Sequence, residues 1–343
     1  MSNGYKWFVA VLSVLWAITV ALDIYYMLAL YGPYFHSLST VLFPVFVIIP
    51  FPQLLFFLPG VFTAFWFGVL IFVFSAFFIY ALVTGFEKLD RSAIFRISEF
   101  YALNLFLSLA YFLIIDALGK PVANPIGNSV PFFYNMFELT NAGLYEELIT
   151  RVLYIGIPLY IYYRMKMGPN GEREKNVPFY RAIWGGNYKF GKPEITVLVI
   201  SSIIFGVAHA SSWDWSKVPQ AALGGFFLGI LFLRYGLFAD VLFHFSIDST
   251  DAFLPTTLGN PLANGATTGF ATFIDLLFVF AGIVVLISYF FRLRNYMNVR
   301  KNGAVPSAVQ DYNQCPRCQS TDSEIIYQGV YRCKNCGNIF KKV

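Results

Sequence analysis

The stretch YEELITR, residues 145–151, places two glutamates and one arginine inside an otherwise apolar segment. Apolar and aromatic residues dominate on both sides, from Pro131 to Leu144 and from Val152 to Tyr163, so the charges do not lie at a helix end. A charge at the centre of a membrane helix costs about 2.5 to 3.5 kcal/mol, or about 8 kcal/mol for three unpaired charges. The presence of all three charged residues in a membrane helix therefore indicates that they have a function.

The composition indicates a polytopic membrane protein. Of the 343 residues, 57% are hydrophobic and 13% are charged, whereas about 25% are charged in an average soluble domain. Apolar runs long enough to cross a bilayer recur from residue 7 to residue 292. We therefore expect an all-α membrane protein with about eight transmembrane helices, followed by a small C-terminal β domain.

The net charge of +5 is interpreted as a signal of how the protein is oriented in the membrane, and not as a signal of nucleic-acid binding. The loop Arg164–Lys192 contains seven Lys or Arg residues, and the positive-inside rule places it in the cytoplasm. Counting the later spans from this loop places the C-terminal tail, which follows Arg292 and Arg294, on the same side.

The N-terminal third allows more than one reading. Trp7–Leu30 is a predicted span, and Asp23 within it is interpreted as a hydrogen-bonding group of the bundle in preference to a site residue. Val41–Thr84 forms either two spans or a broken re-entrant segment followed by one span, Val61–Thr84, because several prolines interrupt its first half. Further spans are predicted at Ile97–Leu118, Phe132–Met165, Glu194–Ala210, Val218–Arg234, Leu237–Phe253 and Phe270–Phe291.

Helical spacing divides the charged stretch into two roles. Residues four apart share a helix face, whereas adjacent residues point about 100° apart. Glu147 and Arg151 can therefore form an ion pair that makes both charges tolerable in the membrane, while Glu146 points elsewhere. This leaves Glu146 as the carboxylate available for chemistry.

Two of the three histidines in the chain lie within later apolar helices. Phe205 and His209 share one helix face, and Asp240, His244 and Asp248 form a stripe on another helix. A single buried histidine is more often a satisfied core residue than a site residue. The combination of two histidines with glutamate and aspartate on separate membrane helices favours a functional site.

These residue types suit hydrolysis of a peptide bond without a covalent intermediate. A desolvated glutamate can act as a general base on water, and neighbouring histidines can hold that water, donate to the oxyanion and protonate the leaving amine. Two histidines and a glutamate also match a ligand set of catalytic zinc, although the one-helix HExxH pattern is absent. These residues alone are therefore compatible with a metal site as well as with a metal-free site.

Three motifs follow one another on successive predicted helices: Glu146-Glu147-x-x-x-Arg151, Phe205-x-x-x-His209 and His244-x-x-x-Asp248. In this order they resemble the CPBP family, which comprises CAAX prenyl endopeptidases and bacteriocin-processing or self-immunity (ABI) proteins. The resemblance covers roughly Pro131–Pro255. It implies an all-helical intramembrane protease core that acts in the bilayer on membrane-embedded or lipid-modified peptides or proteins.

The resemblance also implies roles for the motif residues. Glu146 is the base that activates water, and His209 assists it. His244 and the residue at position 248 form the oxyanion pocket, and Glu147 with Arg151 completes the first motif. Phe205 and Asp240 are supporting residues, and we expect a metal-free, glutamate-dependent reaction.

Position 248 departs from the CAAX-processing branch, in which Asn is usual. A carboxylate would repel an oxyanion, so Asp248 is expected to be protonated, to pair with His244, or to orient that histidine.

Two other functional classes compete with the protease. Buried Glu, His and Asp also form the relays of proton-coupled transporters, although the chain shows no internal repeat with paired broken helices. A catalytically idle membrane scaffold for a partner of the tail is the third class.

The tail carries all four cysteines of the chain, Cys315, Cys318, Cys333 and Cys336, as two CxxC pairs. The spacing predicts a Cys₄ site that resembles a zinc ribbon, with a hairpin at Glu324–Tyr331, although rubredoxin-like iron uses the same ligands. A domain of this size depends on its metal for stability. A protein partner is favoured over nucleic acid for its surface.

The predicted organisation is N-terminal transmembrane helices at residues 1–130, a CPBP-like protease core at 131–293, a linker at 294–314 and a zinc ribbon at 315–343.

Overall fold

The computed structural model describes residues 3–34, 41–45, 54–58, 60–85, 92–120, 132–166, 178–253, 265–301, 322–327, 330–337 and 339–341. The chain divides into two compact units, Met1–Val285 and Leu286–Val343. The first unit holds the charged stretch and both membrane histidines, and the second holds the tail.

The described part of the first unit is helical apart from one hairpin. Its elements are α1 (Asn3–Tyr34), β1 (Val41–Val45), β2 (Leu54–Leu58), α2 (Gly60–Gly85), α3 (Ala93–Ala117), α4 (Phe132–Glu147), a π-helical segment (Leu148–Gly156), α5 (Ile157–Met165), α6 (Tyr180–Trp184), α7 (Lys192–Ala208), α8 (Ala210–Trp213), α9 (Val218–Arg234) and α10 (Leu237–Phe253). The last helix, α11 (Gly265–Lys301), continues into the second unit.

The second unit contains a small antiparallel sheet of three short strands, β3 (Ser323–Tyr327), β4 (Val330–Cys333) and β5 (Ile339–Lys341), in the order β3-β4-β5. The pairing of β3 with β4 confirms the predicted hairpin. Two of the four cysteines, Cys315 and Cys318, lie outside the described residues, as does most of the predicted linker.

Four helices in the described ranges are long and apolar enough to cross a bilayer: Asn3–Ala29, Gly60–Gly85, Ala93–Ala117 and Thr272–Asn295. Large apolar side chains on their surfaces, such as Trp7, Phe72 and Phe280, are more than half exposed. This is the pattern of lipid-facing helices, because lipid rather than the protein interior surrounds such side chains. The chain is an integral membrane protein, and the total of about eight spans stays a prediction.

Among the described residues of 41–84, one helix qualifies as a candidate span, α2. The described parts of the segment before it are the strands β1 and β2, which pair antiparallel with Pro44 opposite Leu55. The described residues therefore agree with the alternative that has one span, and the described parts of the first half, residues 41–45 and 54–58, are strands.

Asp23 of α1 is 6% exposed, and its Oδ2 accepts a hydrogen bond of 2.6 Å from the hydroxyl of Ser249 on α10. The first helix is thereby tied to α10 by a buried polar contact. This confirms the interpretation of Asp23 as a hydrogen-bonding group of the bundle.

Helices α7 and α9 approach closely because glycines lie in their contact. A Cβ added at Gly206 would lie 2.7 Å from the carbonyl oxygen of Val218 and 2.8 Å from the Cβ of Ala222. Small residues of this kind let membrane helices pack backbone against backbone. The close packing fixes the position of Phe205, the residue before this glycine.

The predicted helix Phe132–Met165 is continuous, but its middle nine residues, Leu148–Gly156, are π-helical. The segment begins directly after Glu147. π-helical turns are rare and are frequent at functional sites, because they shift the side chains that follow them around the helix. The segment ends at Gly156, which touches the backbone of α6.

Replacing Gly156 with Ala is expected to destabilise the protein by about 1 to 3 kcal/mol. A Cβ at this position would overlap the carbonyl oxygen of Ala182, and a backbone atom cannot move aside as a flexible side chain can. The thermal unfolding midpoint in detergent measures the effect. Gly4→Ala is the matched control, because its Cβ would meet nothing within 4 Å, and equal midpoints for the two variants would contradict the prediction.

Candidate active site

The two adjacent glutamates at the end of α4 point into different surroundings. Glu147 is fully buried, and its Oε2 accepts a hydrogen bond of 2.7 Å from Nε of Arg151, which is also fully buried. Glu146 is partly exposed and lines a cavity. The division of roles expected from helical spacing is therefore present in the geometry: one glutamate is paired, and the other faces open space.

The Arg151 side chain is held by groups other than Glu147 as well. Its Nη1 donates to the hydroxyl of Ser201 at 3.1 Å, and that hydroxyl donates to the carbonyl oxygen of Thr150 at 2.9 Å. The guanidinium also lies 5.0 Å from the ring centroid of Phe205. Arg151 thus connects the π-helical segment to α7 through a hydrogen bond and a cation–π contact, and its ion pair holds Glu147 at the end of α4.

The second carboxylate oxygen of Glu147 binds His244. The distance from Nδ1 of His244 to Oε1 of Glu147 is 2.8 Å, and a carboxylate accepts, so Nδ1 carries the donated hydrogen. On the other side of the ring, Nε2 lies 3.4 Å from Oδ2 of Asp248. Glu147 is therefore more than the partner of Arg151: it also fixes the ring of His244.

His209 follows the last residue of α7, and its orientation is set by its own helix. Its Nδ1 lies 2.9 Å from the carbonyl oxygen of Phe205. Because a carbonyl oxygen only accepts, Nδ1 must carry a hydrogen. In the neutral ring, Nε2 is then a hydrogen-bond acceptor, and the side chain lines the same cavity as Glu146.

Phe205 separates the two histidines. Its ring centroid lies 4.8 Å from that of His209 and 5.8 Å from that of His244, and the residue is 4% exposed. The ring fixes both imidazoles by packing, which is the positioning that a site on membrane helices requires.

One cavity of about 400 Å³ collects these side chains. Of the predicted site residues, it is lined by Glu146, Phe205, His209, His244 and Asp248. The two paired residues of the charged stretch, Glu147 and Arg151, are not among the residues that line the cavity. The three separate motifs thus meet at one place in the first unit.

Asp240 lies apart from the cavity lining. It is fully buried near Glu147, and its Oδ1 accepts a hydrogen bond of 2.9 Å from the backbone N–H of Val241. Although Asp240 lies one helical turn before His244, its buried side chain lies near Glu147 and is not part of the cavity lining. Its assignment as a supporting residue stays a prediction.

Several polar residues of the cavity wall were missed by sequence reasoning: Asn104 and Ser108 of α3, Lys217 and Gln220 next to and within α9, and Thr272 and Asp275 of α11. A sequence signal existed for Asn104, because it interrupts an apolar run of the kind that singled out Asp23. Ser108 and Asp275 interrupt apolar runs in the same way. Lys217, Gln220 and Thr272 needed the three-dimensional structure, since each lies at or near the start of its helix or apolar span.

In the tail, the buried Cys333 ends β4, and the partly exposed Cys336 lies on the turn after it. The turn is closed by Gly337, whose backbone N–H donates to the carbonyl oxygen of Cys333 at 2.9 Å and whose φ is +69°. Two sulfur donors on one tight turn fit half of a tetrahedral thiolate site. The described ranges contain no group of three or more His, Cys, Asp or Glu side chains arranged to hold a metal ion.

Comparison with known proteins gives one finding for this site. Residues 128–250 match the family model of the Rce1-like type II CAAX prenyl endopeptidases. The matched region, about a third of the chain, contains all three motifs and ends two residues after Asp248. No curated protein and no solved structure gives a significant match to the chain.

Proposed function

With the match of residues 128–250 to the CAAX prenyl endopeptidases as premise, we propose that the chain hydrolyses peptide bonds of membrane-associated substrates with a water activated by Glu146. The match supports a membrane endopeptidase of the CAAX-protease type. The observation that carries the finer proposal is the convergence of Glu146, His209 and His244 on one cavity.

In this mechanism the carboxylate of Glu146 takes a proton from water, and the resulting hydroxide attacks the scissile carbonyl carbon. Nε2 of His209 accepts a hydrogen bond from the same water and directs its lone pair at the carbonyl. Glu146 then returns the proton to the amide nitrogen as the carbon–nitrogen bond breaks. The products are a carboxylate and a protonated amine, since the hydroxyl proton of the intermediate also passes to the amine, and no covalent enzyme intermediate forms.

His244 is proposed to stabilise the oxyanion of the tetrahedral intermediate. Its Nδ1–H donates to Glu147, which leaves Nε2–H of the protonated ring as the donor to the oxyanion, while the carboxyl group of Asp248, 3.4 Å from Nε2, stabilises the positive charge of the ring. Asp248 pairs with the histidine in this arrangement instead of meeting the oxyanion directly. This is one of the three roles expected for an aspartate at position 248.

The experiment that tests the proposal is cleavage of a quenched, prenylated C-terminal peptide by the purified full-length protein in liposomes. Cleavage that persists with a chelator supports the metal-free, glutamate-dependent reaction, and cleavage that a chelator abolishes overturns it. Proton flux in the same liposomes, with no cleavage of this or other membrane peptides, would favour the transporter alternative. A scaffold would show neither activity.

The tail is proposed to be a cytoplasmic zinc ribbon with a protein partner. Cys333 and Cys336 would hold the ion together with Cys315 and Cys318, and the ion would cross-link a domain that has little apolar core of its own. Four thiolate ligands fill the coordination sphere of the ion and leave no position for a substrate, so the role of the ion is structural. The turn closed by Gly337 supports this assignment by placing two sulfurs on one short segment.

Replacing both Cys333 and Cys336 with Ser is expected to remove about one zinc ion per chain, because each lost thiolate removes a ligand. Elemental analysis of the purified protein measures the metal and also distinguishes zinc from iron. Peptide cleavage by the same variant is expected to persist, since the tail lies outside the matched domain. Zinc content equal to that of the wild type would refute the ribbon.

A further inference from the structure

One positively charged side chain lies among the acidic groups of the cavity wall. The described residues that line the cavity include the carboxyl groups of Glu146, Asp248 and Asp275, and Lys217 is the only lysine or arginine among them. Lys217 directly precedes α9 and is partly exposed. The proposed reaction assigns no task to its ammonium group.

The ammonium group of Lys217 is positioned by contacts with aromatic rings. Its Nζ lies 4.3 Å from the ring centroid of Trp213 and 5.3 Å from that of Phe112, and both of these residues also line the cavity. Cation–π contacts of this kind stabilise a cation away from bulk water. Because a lysine ammonium carries three N–H donors, it can bind an anion while it lies against the rings.

The backbone that carries Lys217 is tied to α3 on both sides in sequence. Before it, the carbonyl oxygen of Ser216 accepts a hydrogen bond of 2.5 Å from the hydroxyl of Tyr111. After it, Nε2 of Gln220 donates to the hydroxyl of Ser108 at 2.9 Å. A binding residue whose neighbours are already fixed loses less conformational freedom when a ligand arrives, so this arrangement favours binding.

Lys217 lies beside the last turn of α7, which His209 follows. A Cβ added at Gly206 in that turn would be 2.7 Å from the carbonyl oxygen of Val218, the residue after Lys217. The backbone N–H of His209 donates to the carbonyl oxygen of the same glycine at 3.1 Å. Both Lys217 and Glu146 interact electrostatically with the His209 ring. An anion bound by Lys217 would therefore lie in the same cavity as the proposed base and close to the histidine that assists it.

The charges and the size of the cavity indicate which anion this is. Carboxylates on the wall repel an anionic group at positions away from Lys217. The volume of about 400 Å³ is near the lower end of the range of small-ligand pockets, about 300 to 1,000 Å³, so the cavity suits a short chain end. Every peptide chain end of this kind carries a C-terminal carboxylate. A lipid headgroup is another source of an anion, but the place of Lys217 on one cavity wall with Glu146 and His209 favours the peptide.

We propose that Lys217 binds the C-terminal carboxylate of the substrate and thereby places a peptide bond near the chain end before Glu146. The inference rests on the proposed peptidase function and adds a specificity-determining residue to it. Lys217 contacts the substrate away from the reacting atoms, so its role is binding and not proton transfer. The protein then prefers a free, ionised C-terminus over a chain that ends in an amide.

The test compares two quenched prenylated peptides of one sequence, one with a free C-terminal carboxylate and one with a C-terminal amide, in phosphatidylcholine liposomes. In the wild type, amidation is expected to lower kcat/KM about 10- to 100-fold, chiefly through a higher KM, because it removes a charge-assisted hydrogen bond. Lys217→Met and Lys217→Gln remove the charge and keep an unbranched side chain, so each should cleave the two peptides alike. Lys217→Arg should retain the preference. Lys192→Gln is the matched control, because it removes an exposed lysine at the start of α7 that is not part of the cavity lining, and it should keep the full discrimination.

Equal cleavage of the two peptides by the wild type, or a full preference retained by Lys217→Met and Lys217→Gln, would refute the role of Lys217 while the peptidase stands. Fluorescence anisotropy with the same peptides needs no turnover. Binding that prefers the carboxylate in the wild type but not in these variants supports the role even if neither peptide is cleaved, and binding that ignores the carboxylate overturns it. Cleavage that ignores the C-terminus but rises with added anionic lipid in the wild type alone would assign Lys217 to a lipid headgroup and overturn the proposal. Thermal unfolding identifies a variant that fails to fold, and the other variant then decides.

Discussion

Replacing Glu146 with Gln is expected to lower kcat for peptide cleavage by about 100- to 10,000-fold while leaving thermal stability unchanged, because the amide cannot take a proton from water. Glu146 is partly exposed and lines the cavity, whereas Glu147 forms the buried ion pair with Arg151, so the fold is expected to tolerate loss of the charge at Glu146. Cleavage rates and unfolding midpoints, measured on the same preparation of full-length protein, provide the two readouts.

The matched control is Glu138→Gln, which removes a carboxylate from the same helix at an exposed position. This variant is expected to cleave at the wild-type rate. Full activity of Glu146→Gln would show that Glu146 is not the general base, although the match to the endopeptidase family would stand.

Replacing Arg151 with Ala is expected to destabilise the protein by about 3 to 5 kcal/mol, because it leaves the fully buried carboxylate of Glu147 without its cation. The same change removes the hydrogen bond to Ser201 and the contact with the Phe205 ring. A lower thermal unfolding midpoint in detergent is the expected observation. Lost cleavage should follow from lost structure, since Glu147 also holds His244.

Arg234→Ala is the control for the loss of an arginine from a helix, because Arg234 lies exposed at the end of α9. Its unfolding midpoint should stay close to that of the wild type. A normal midpoint for Arg151→Ala, combined with lost cleavage, would assign Arg151 a direct chemical role and contradict its role as a structural partner.

Local spacing was enough to predict contacts within one helix. The ion pair between Glu147 and Arg151 joins residues four apart, and hydropathy alone located α9 and α10 at their observed ends. The bond between Glu147 and His244 joins residues 97 positions apart. It depends on how α10 packs against α4, so the helical period carries no signal of it.

Two backbone features also lay beyond sequence reasoning. The π-helical segment after Glu147 has no sequence pattern of its own, since the same apolar residues fit an ordinary α-helix. The strands at 41–45 and 54–58 occupy a region whose apolar residues and prolines suit either a broken helix or a hairpin. At the π-helical segment, packing against α6 and α7, rather than local preference, selects the conformation.

The helices α7, which ends directly before His209, α10, which carries His244, and their neighbour α9 contain 17 residues each. A helix of 17 residues is about 25 Å long, whereas the hydrocarbon layer of a bilayer is about 30 Å thick. This hydrophobic mismatch is relieved when the surrounding lipid thins locally. Thinner lipid beside α7, α9 and α10 would shorten the distance that water and a polar peptide segment must cross to reach Glu146, and it would make lipid chain length a determinant of the cleavage rate.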